Sequence, residues 1–191
     1  MSIASQPSSM LRSARHEQDP KLLFIYDLLG EYPGFPQEGV QFIDIFPIFQ
    51  NTKATEKVTD KFVDYLKDKS VDVIVGLEVR GFFFASFVAV RLGVPFVPIR
   101  KKGKLPGECL QVGYEKEYGP DVLEMQKGVI QPNSRVAILD DVFATGGTAA
   151  AAEKMIQMAG AIVVADVFII QGKTSNDSGI LKAPTYSLFK V

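Results

Sequence analysis

The sequence predicts an α/β fold with a mainly parallel, doubly wound sheet in a single domain. Short, nearly continuous apolar stretches typical of buried strands alternate with longer stretches whose apolar residues recur at helical spacing. The chain of 191 residues has the length of one domain. In such folds ligands bind beyond the carboxyl ends of the parallel strands, so the loops at that edge are the candidate functional loops.

The composition narrows the possible partners. With 47% hydrophobic residues and a formal net charge of -1, the chain offers no basic field for nucleic acid, and no apolar run reaches the length of a membrane span. The single cysteine, Cys109, excludes an internal disulfide, and the one histidine, His16, excludes a histidine-rich metal site. We therefore expect a cytoplasmic protein that binds neither nucleic acid nor membrane.

The N-terminal part of the chain is expected to be less ordered. Residues 1–20 are predicted to be a flexible extension to a domain of residues 21–191. Residues 1–16 carry serines and arginines but no acid, which keeps organelle targeting as a minor alternative. A short amphipathic helix is expected over residues 21–29. Two prolines and a glycine then predict a turn over residues 32–36, followed by an extended segment over residues 39–47.

The middle of the chain supplies the first βαβ unit. A surface helix is expected over residues 53–70, with one apolar stripe among lysines and acids. The expected order is then a strand (71–76), a short polar loop (78–81), a helix (82–92) and a strand (94–99). A polar, glycine-containing lid is predicted over residues 111–124 instead of a buried element.

The C-terminal part supplies the second βαβ unit and the most informative stretch of the chain. A buried strand is expected over residues 136–139 and a helix over residues 149–159. Further strands are expected over residues 161–170 and 186–191. Between the first strand and the helix stand two adjacent carboxylates, Asp140 and Asp141, and the sequence Thr145-Gly-Gly-Thr148.

This stretch has the features of a phosphate site. Glycines let an anion approach the backbone, and the start of the following helix presents unpaired amides and the positive end of its dipole. The two aspartates cannot bind the phosphate themselves, so they indicate sugar hydroxyls or a cation beside it. A tight turn after a core strand is the alternative interpretation, and it leaves the acid pair unexplained. The chain lacks the lysine-containing P-loop and the dinucleotide fingerprint.

Val136 to Thr148 resembles the 5-phosphoribosyl-1-pyrophosphate (PRPP) signature of the type I phosphoribosyltransferases. The shared pattern is an apolar strand, Asp-Asp, two variable residues and Ala-Thr-Gly-Gly-Thr. The resemblance implies that Asp140 and Asp141 hold the ribose hydroxyls. The residues implied to hold the 5-phosphate are Ala144, Thr145, Gly146, Gly147 and Thr148.

Other segments resemble the adenine phosphoribosyltransferases in particular. Phe35 to Pro47 is similar to a run that builds part of the base pocket. It implies a small N-terminal hood at about residues 31–47, with an adenine pocket formed by Val40, Gln41, Phe42 and Ile170. Arg100 to Gly107 resembles the segment that reaches pyrophosphate, in part across a dimer interface. The implied pyrophosphate contacts are Glu78, Val79, Arg80, Arg100 and Lys104.

The lid residues Glu117 and Tyr118 match the same family, within a mobile lid at about residues 100–124. The resemblance implies that Glu117 handles the proton at adenine N7 and that Arg80 stabilises the departing charge. It also implies a strained cis peptide at Glu78-Val79. The implied activity is conversion of adenine and PRPP to AMP and pyrophosphate, a purine salvage reaction, by a homodimer with Arg100 to Lys104 near the partner's site. Mg²⁺ would be held mainly by substrate and water, with no direct protein ligand.

Two other functions stay open at this stage. A 6-oxopurine phosphoribosyltransferase would need a donor to O6, which Lys173 could supply, and a PRPP-sensing regulator would keep the phosphate site but need no lid. Three positions depart from the adenine family pattern: Ile43 stands in place of an arginine, and Gln171 and Gly172 in place of an acidic-apolar pair. These departures affect the base pocket more than phosphate binding.

Overall fold

The structure is a computed structural model that describes residues 9–116, 119–172 and 179–191. The chain divides into two compact units. The first ends at Lys57 and also takes in Phe189–Val191, and the second is Val58–Leu188. Among the described residues, no helix combines the length and apolar character needed to cross a membrane.

The first unit consists of short elements. They are α1 (Met10–Ala14), two 3-10 turns (Arg15–Glu17 and Pro20–Leu22), α2 (Leu23–Tyr26), β1 (Gly30–Pro33), β2 (Gln41–Asp44) and α3 (Phe46–Phe49). The strands β1 and β2 pair antiparallel. Residues 10–17, assigned from the sequence to a flexible extension, are helical because Leu11 and Ala14 are buried and Glu31 accepts hydrogen bonds from the amides of Met10 and Leu11.

Two local expectations in the first unit hold only in part. Residues 34–36 lie in the connection between β1 and β2, as the predicted turn requires, but Tyr32 and Pro33 belong to β1, where Pro33 can stand because it is at the strand end. The helix predicted over residues 21–29 is a 3-10 turn followed by the single turn of α2. Helix α4 (Thr52–Leu66) begins in the first unit and continues into the second.

A seven-stranded sheet dominates the second unit. Its elements are β3 (Val73–Leu77), α5 (Glu78–Leu92), β4 (Phe96–Lys101), β5 (Cys109–Lys116), β6 (Gly119–Gln126), β7 (Arg135–Phe143), α6 (Gly147–Met158), β8 (Ile162–Gln171) and β9 (Thr185–Lys190). The strand order is β5-β6-β4-β3-β7-β8-β9. Strands β4, β3, β7 and β8 are parallel neighbours, as predicted, while β6 pairs antiparallel with both β4 and β5.

The topology fixes where a ligand can bind. From β3 the chain crosses to β4 on one side, and from β7 it crosses to β8 on the other. With right-handed crossovers, α5 and α6 therefore lie on opposite faces of the sheet, and the connections diverge between β3 and β7. The crevice at the carboxyl ends of these two strands is the topological switch point, where open α/β sheets bind their ligands.

Three boundaries in the second unit differ from prediction, and each affects the site. Strand β7 continues through Asp140 and Asp141 to Phe143, because β8 still pairs with it beyond the end of β3. Helix α5 begins at Glu78, so the predicted loop of residues 78–81 is its first turn. The segment expected to be an unburied lid is largely the β5–β6 hairpin, whose Val112 and Leu123 are buried in the core.

Candidate active site

A cavity of about 340 Å³ opens at the switch point between β3 and β7. Its lining comes from the start of α5, the end of β7, the start of α6 and the β4–β5 region. The lining residues are Glu78, Val79, Arg80, Lys101, Tyr114, Asp140, Asp141 and Thr148. Two stretches that are about 60 residues apart in the chain, both singled out from sequence, thus meet in one cavity.

Asp140 and Asp141 are the acidic end of this cavity. The Asp141 side chain is 5% exposed and forms an ion pair with Arg80, with 3.0 Å between Oδ2 and Nε. Asp140 Oδ1 accepts a hydrogen bond of 2.9 Å from the Asp141 amide. Burial raises the pKa of Asp140 well above its ordinary value, and the neighbouring Asp141 raises it further. Burial also raises the pKa of Asp141, although Arg80 opposes this. Such a pair is stabilised by hydroxyl donors or a cation.

The predicted phosphate cradle, residues 144–148, directly follows the acid pair in the chain. Gly146 has a φ of 82°, which a glycine adopts without strain, and Gly147 is the first residue of α6. A Cβ on Gly146 would lie 2.6 Å from the Phe143 ring and 2.8 Å from Ile180 Cγ2. A small hollow of about 60 Å³ lies here, and its lining includes Ala144, Thr145, Gly146 and Thr148. The helix start and the two threonine hydroxyls are groups that can hold an anion.

The first turn of α5 approaches β7 unusually closely. A Cβ on Gly81 would lie 2.8 Å from the Leu139 carbonyl oxygen and 3.2 Å from Asp140 Oδ1. Glycine is therefore required where Arg80 is brought beside the acid pair. The peptide between Glu78 and Val79 is not cis as expected: within the described ranges the one cis bond precedes Pro36. Backbone strain lies at Glu78 instead, which has a φ of 49°.

The predicted cationic residues lie in different places. Arg100 Nε is 3.6 Å from Glu78 Oε1, at the border of the cavity. Lys104 is not among the residues that line it. Lys101, which the sequence did not single out, does line the cavity, and its amide donates to Glu78 Oε1 at 2.6 Å.

Tyr114 is the second residue of the cavity that was not identified from the sequence. The Thr148 hydroxyl donates to the Tyr114 hydroxyl oxygen at 3.4 Å, which joins β5 to the start of α6. The period-two alternation that buries Val112 puts Tyr114 on the same face of β5, so recognising the strand would have identified it.

The residues expected to bind a base lie in different units. In the first unit, Val40 and Phe42 are half-buried and Gln41 is exposed on β2. The Phe42 ring packs edge-to-face on Phe35, with 5.0 Å between centroids. In the second unit, Ile170 on β8 is fully buried.

Glu117, Tyr118 and Lys173 lie outside the described residues, so their roles stay predictions. Among the residues that are described, no group of three or more His, Cys, Asp or Glu side chains could hold a metal ion.

Comparisons with known proteins agree with this geometry. The model of the phosphoribosyl transferase domain matches residues 47–176. An adenine phosphoribosyltransferase of Clostridium acetobutylicum is 49% identical over 145 residues, which cover 76% of this chain and 84% of that protein. Adenine phosphoribosyltransferase 1 of Saccharomyces cerevisiae is 44% identical over 164 residues, covering 84% and 88%.

A crystal structure of the Saccharomyces cerevisiae adenine phosphoribosyltransferase, complexed with an imino-altritol bisphosphate and adenine, superposes with a TM-score of 0.82. The match has 41% sequence identity and covers 93% of this chain and 99% of that one. These similarities confirm the predicted fold class. The acid pair and the arginine share one cavity, and the cradle lines the hollow beside it. By these similarities the chain belongs to the adenine phosphoribosyltransferases, within the phosphoribosyltransferase family.

Proposed function

We propose that this protein transfers the 5-phosphoribosyl group of PRPP to N9 of adenine, giving AMP and pyrophosphate. One observation carries the proposal: Asp140, Asp141 and Thr148 share a cavity with Glu78, Val79 and Arg80. The cavity therefore combines an anion site, a carboxylate pair and a cation, and PRPP needs all three.

The sugar end of PRPP fits the β7–α6 connection. The amides of residues 144–148 and the hydroxyls of Thr145 and Thr148 would hold the 5-phosphate, while Asp140 and Asp141 accept hydrogen bonds from the ribose hydroxyls. Those hydroxyl donors favour the ionised carboxylates that burial otherwise disfavours. Substrate binding would thus relieve an electrostatic cost built into the acid pair.

The leaving group fits the other side of the cavity. Glu78, Val79 and Arg80 line it, and Arg100 stands at its border. As the bond between C1 and pyrophosphate stretches, Arg80 and Arg100 stabilise the charge that develops on the departing oxygen. In a dimer, Lys104 would act near the partner's site. Mg²⁺, bound mainly to the diphosphate and water, would neutralise part of the same charge.

The acceptor side rests on the family resemblance. Val40, Gln41, Phe42 and Ile170 would form the adenine pocket. Adenine N9 would attack C1 with its lone pair while the N7 proton passes to Glu117, and pyrophosphate would leave with the electrons of the broken bond. Tyr118 would help to exclude the water that would otherwise hydrolyse PRPP.

A homodimer and a cytoplasmic site of action belong to the same proposal. Helix α5 exposes four apolar side chains on one face: Val79, Phe83, Phe87 and Val90. Their spacing of four, four and three residues makes a continuous stripe, which a second copy of the chain could cover. Cys109 is a free thiol, which fits a reducing compartment.

A radiolabelled-base assay tests the function. With PRPP and Mg²⁺, we expect labelled adenine to appear in AMP with one pyrophosphate released per turnover. Preferential use of hypoxanthine would assign the protein to 6-oxopurines instead. PRPP binding without pyrophosphate release would indicate a regulator and contradict the proposed catalysis.

A further inference from the structure

Glu124 is a buried acid that does not line the cavity. It lies on β6, where its register partners are Arg100 on β4 and Gln111 on β5. The residue is 3% exposed. A carboxylate is rarely buried unless its oxygens are hydrogen-bonded, so its partners indicate its purpose.

Those partners are consecutive backbone amides of the cationic loop, defined here as residues 101–107. The amides of Lys104 and Leu105 each donate to Glu124 Oε1 at 2.8 Å. The Gly103 amide and the Gln111 side chain face the same carboxylate and help to lower its pKa. Burial raises the pKa of Glu124, but these hydrogen bonds outweigh burial and hold it below its ordinary value. The group is therefore an anion at neutral pH.

The cationic loop is also fixed at its beginning. The Lys101 amide donates to Glu78 Oε1 at 2.6 Å, and the Lys102 amide donates to the Val122 carbonyl oxygen at 2.9 Å. Four of the five consecutive amides 101 to 105 thus have hydrogen-bond acceptors outside the loop. Two of them share one carboxylate oxygen of Glu124, which the Gly103 amide also faces.

This arrangement opposes the natural tendency of the segment. Lys101, Lys102 and Lys104 repel one another, and Gly103 and Gly107 add backbone freedom. A buried anion at the centre of the turn offsets that repulsion and orders the backbone before any ligand arrives. Ordering in advance lowers the entropy that a ligand must otherwise overcome.

We infer that Glu124 is a positioning residue that holds the cationic loop, through the amides of residues 103–105, in the conformation that presents its lysines to a diphosphate. The inference rests on the proposed function for the ligand, but the attachment itself is a property of the fold. Glu124 touches no substrate in this account and acts only through the loop.

Glu124→Gln is the main test, with Glu108→Gln as its matched control. Glu108 is close in sequence to the same loop and loses the same charge, but its side chain is 83% exposed and pairs with Lys127 at 3.1 Å. In Glu124→Gln we expect the KM for PRPP to rise about tenfold, as for the loss of one charged hydrogen bond. The turnover number and the KM for adenine should stay within about twofold, because the loop orders only the diphosphate end.

Amide hydrogen exchange supplies a readout that needs no activity. Residues 103–105 should exchange at least about tenfold faster in Glu124→Gln and at the wild-type rate in Glu108→Gln, since exchange follows local opening. If the wild-type protein fails to use adenine, the proposed function falls while this measurement still decides the attachment. Unchanged exchange, or an equal loss of turnover with both substrates, would overturn the inference.

Glu124→Asp covers the case in which Glu124→Gln does not fold. The shorter side chain keeps the buried charge but cannot reach all three amides. It should therefore fold, show faster exchange at one or more of these amides and give an intermediate KM for PRPP. A folded Glu124→Asp variant with wild-type values for both would equally overturn the inference.

Discussion

At the scale of single residues, Gly81 determines how closely the two halves of the cavity approach each other. The backbone of α5 can lie against β7 only because no Cβ stands between Gly81 and the Leu139 carbonyl oxygen. Arg80 is thereby brought within 3.0 Å of Asp141. A glycine in a helix normally costs stability, so its presence here indicates a steric requirement.

Gly81→Ala should therefore weaken PRPP binding at least tenfold and lower the free energy of unfolding by about 1–3 kcal/mol, as overpacking does. Backbone atoms cannot move aside as a side-chain end can, so α5 must shift and move Arg80 with it. Titration calorimetry and thermal unfolding measure the two effects. Gly113→Ala is the control, because its Cβ would meet nothing within 4 Å; equal losses in both variants would refute the steric argument.

Glu117 tests the acceptor side of the mechanism. As general base, it should contribute about 10²–10⁴ in rate, so Glu117→Ala should lower turnover by that factor. PRPP affinity should remain within about threefold, because the residue acts on adenine only. Single-turnover kinetics separate the two quantities, and unchanged turnover would remove Glu117 from the mechanism.

At the scale of elements, α6 and β8 are joined by a pair of buried acids, Glu153 and Asp166. Asp166 is 0% exposed and lies beside Glu153, which accepts hydrogen bonds from the amides of Lys182 and Ala183. Neither carboxyl oxygen of Asp166 has a hydrogen-bond partner among the described residues, and burial without such partners disfavours the ionised form. Burial, and then the charge of Glu153, raise the pKa of Asp166 to about 9.

This pair makes stability depend on pH. The unfolded chain releases the Asp166 proton near pH 4, whereas the folded chain keeps it to about pH 9. The folded state binds more protons between these values, so the free energy of unfolding falls as pH rises, by at most about 1.4 kcal/mol per pH unit. Asp166→Asn should remove this component, since the amide side chain does not titrate.

Urea unfolding at several pH values between 5 and 9 measures the difference in slope between wild type and Asp166→Asn. Asp27→Asn is a control from the exposed surface. The hydrogen bond from Arg15 lowers the pKa of Asp27, so its contribution is constant above its ordinary titration range and is lost only in acid. Parallel curves for wild type and Asp166→Asn would show that the acid pair does not control the pH dependence.

The elements also show where sequence reasoning succeeds and where it fails. Apolar runs correctly predicted the parallel strands, and the motif spacing correctly predicted that residues near 80 and 140 face one crevice. The ends of α5 and β7 were wrong because tertiary contacts decide them: β8 extends β7 past the acids, and Gly81 permits a helical turn beside it. Neither contact has a local signal.

The β5–β6 hairpin was missed for a related reason. Its glycines and charged residues are typical of a loop, but the alternation that buries Val112, Leu123 and Met125 is the stronger signal. With the strand unrecognised, Tyr114 and Lys101 could not be assigned to the cavity. The buried pair of Glu153 and Asp166 was equally invisible, because nothing in the sequence indicates that a helix acid faces a strand acid.

At the scale of the whole molecule, the α5 stripe bears on assembly. Phe87 is 45% exposed within it, and large apolar side chains in a continuous exposed row favour association. Phe87→Arg should convert the proposed homodimer to a monomer of 21.0 kDa. Light scattering coupled to gel filtration measures the mass.

Phe24→Arg provides the comparison for that substitution. Phe24 is 46% exposed but lies in the first unit, away from α5 in the sequence. It should retain the mass of the wild-type protein. A dimer that survives Phe87→Arg would show that association uses a different surface.

The attachment of the cationic loop to Glu124 has a consequence for salt. Because that carboxylate takes up the amides of Lys104 and Leu105, the loop presents mainly solvated ammonium groups to an anion. The start of α6 offers fixed amides in a recess instead. Dissolved ions screen exposed charges within about 8–10 Å and affect recessed groups much less. The two ends of a bound PRPP molecule would then differ in their sensitivity to ionic strength. As the salt concentration rises, the contacts to the diphosphate would weaken before the contacts to the 5-phosphate.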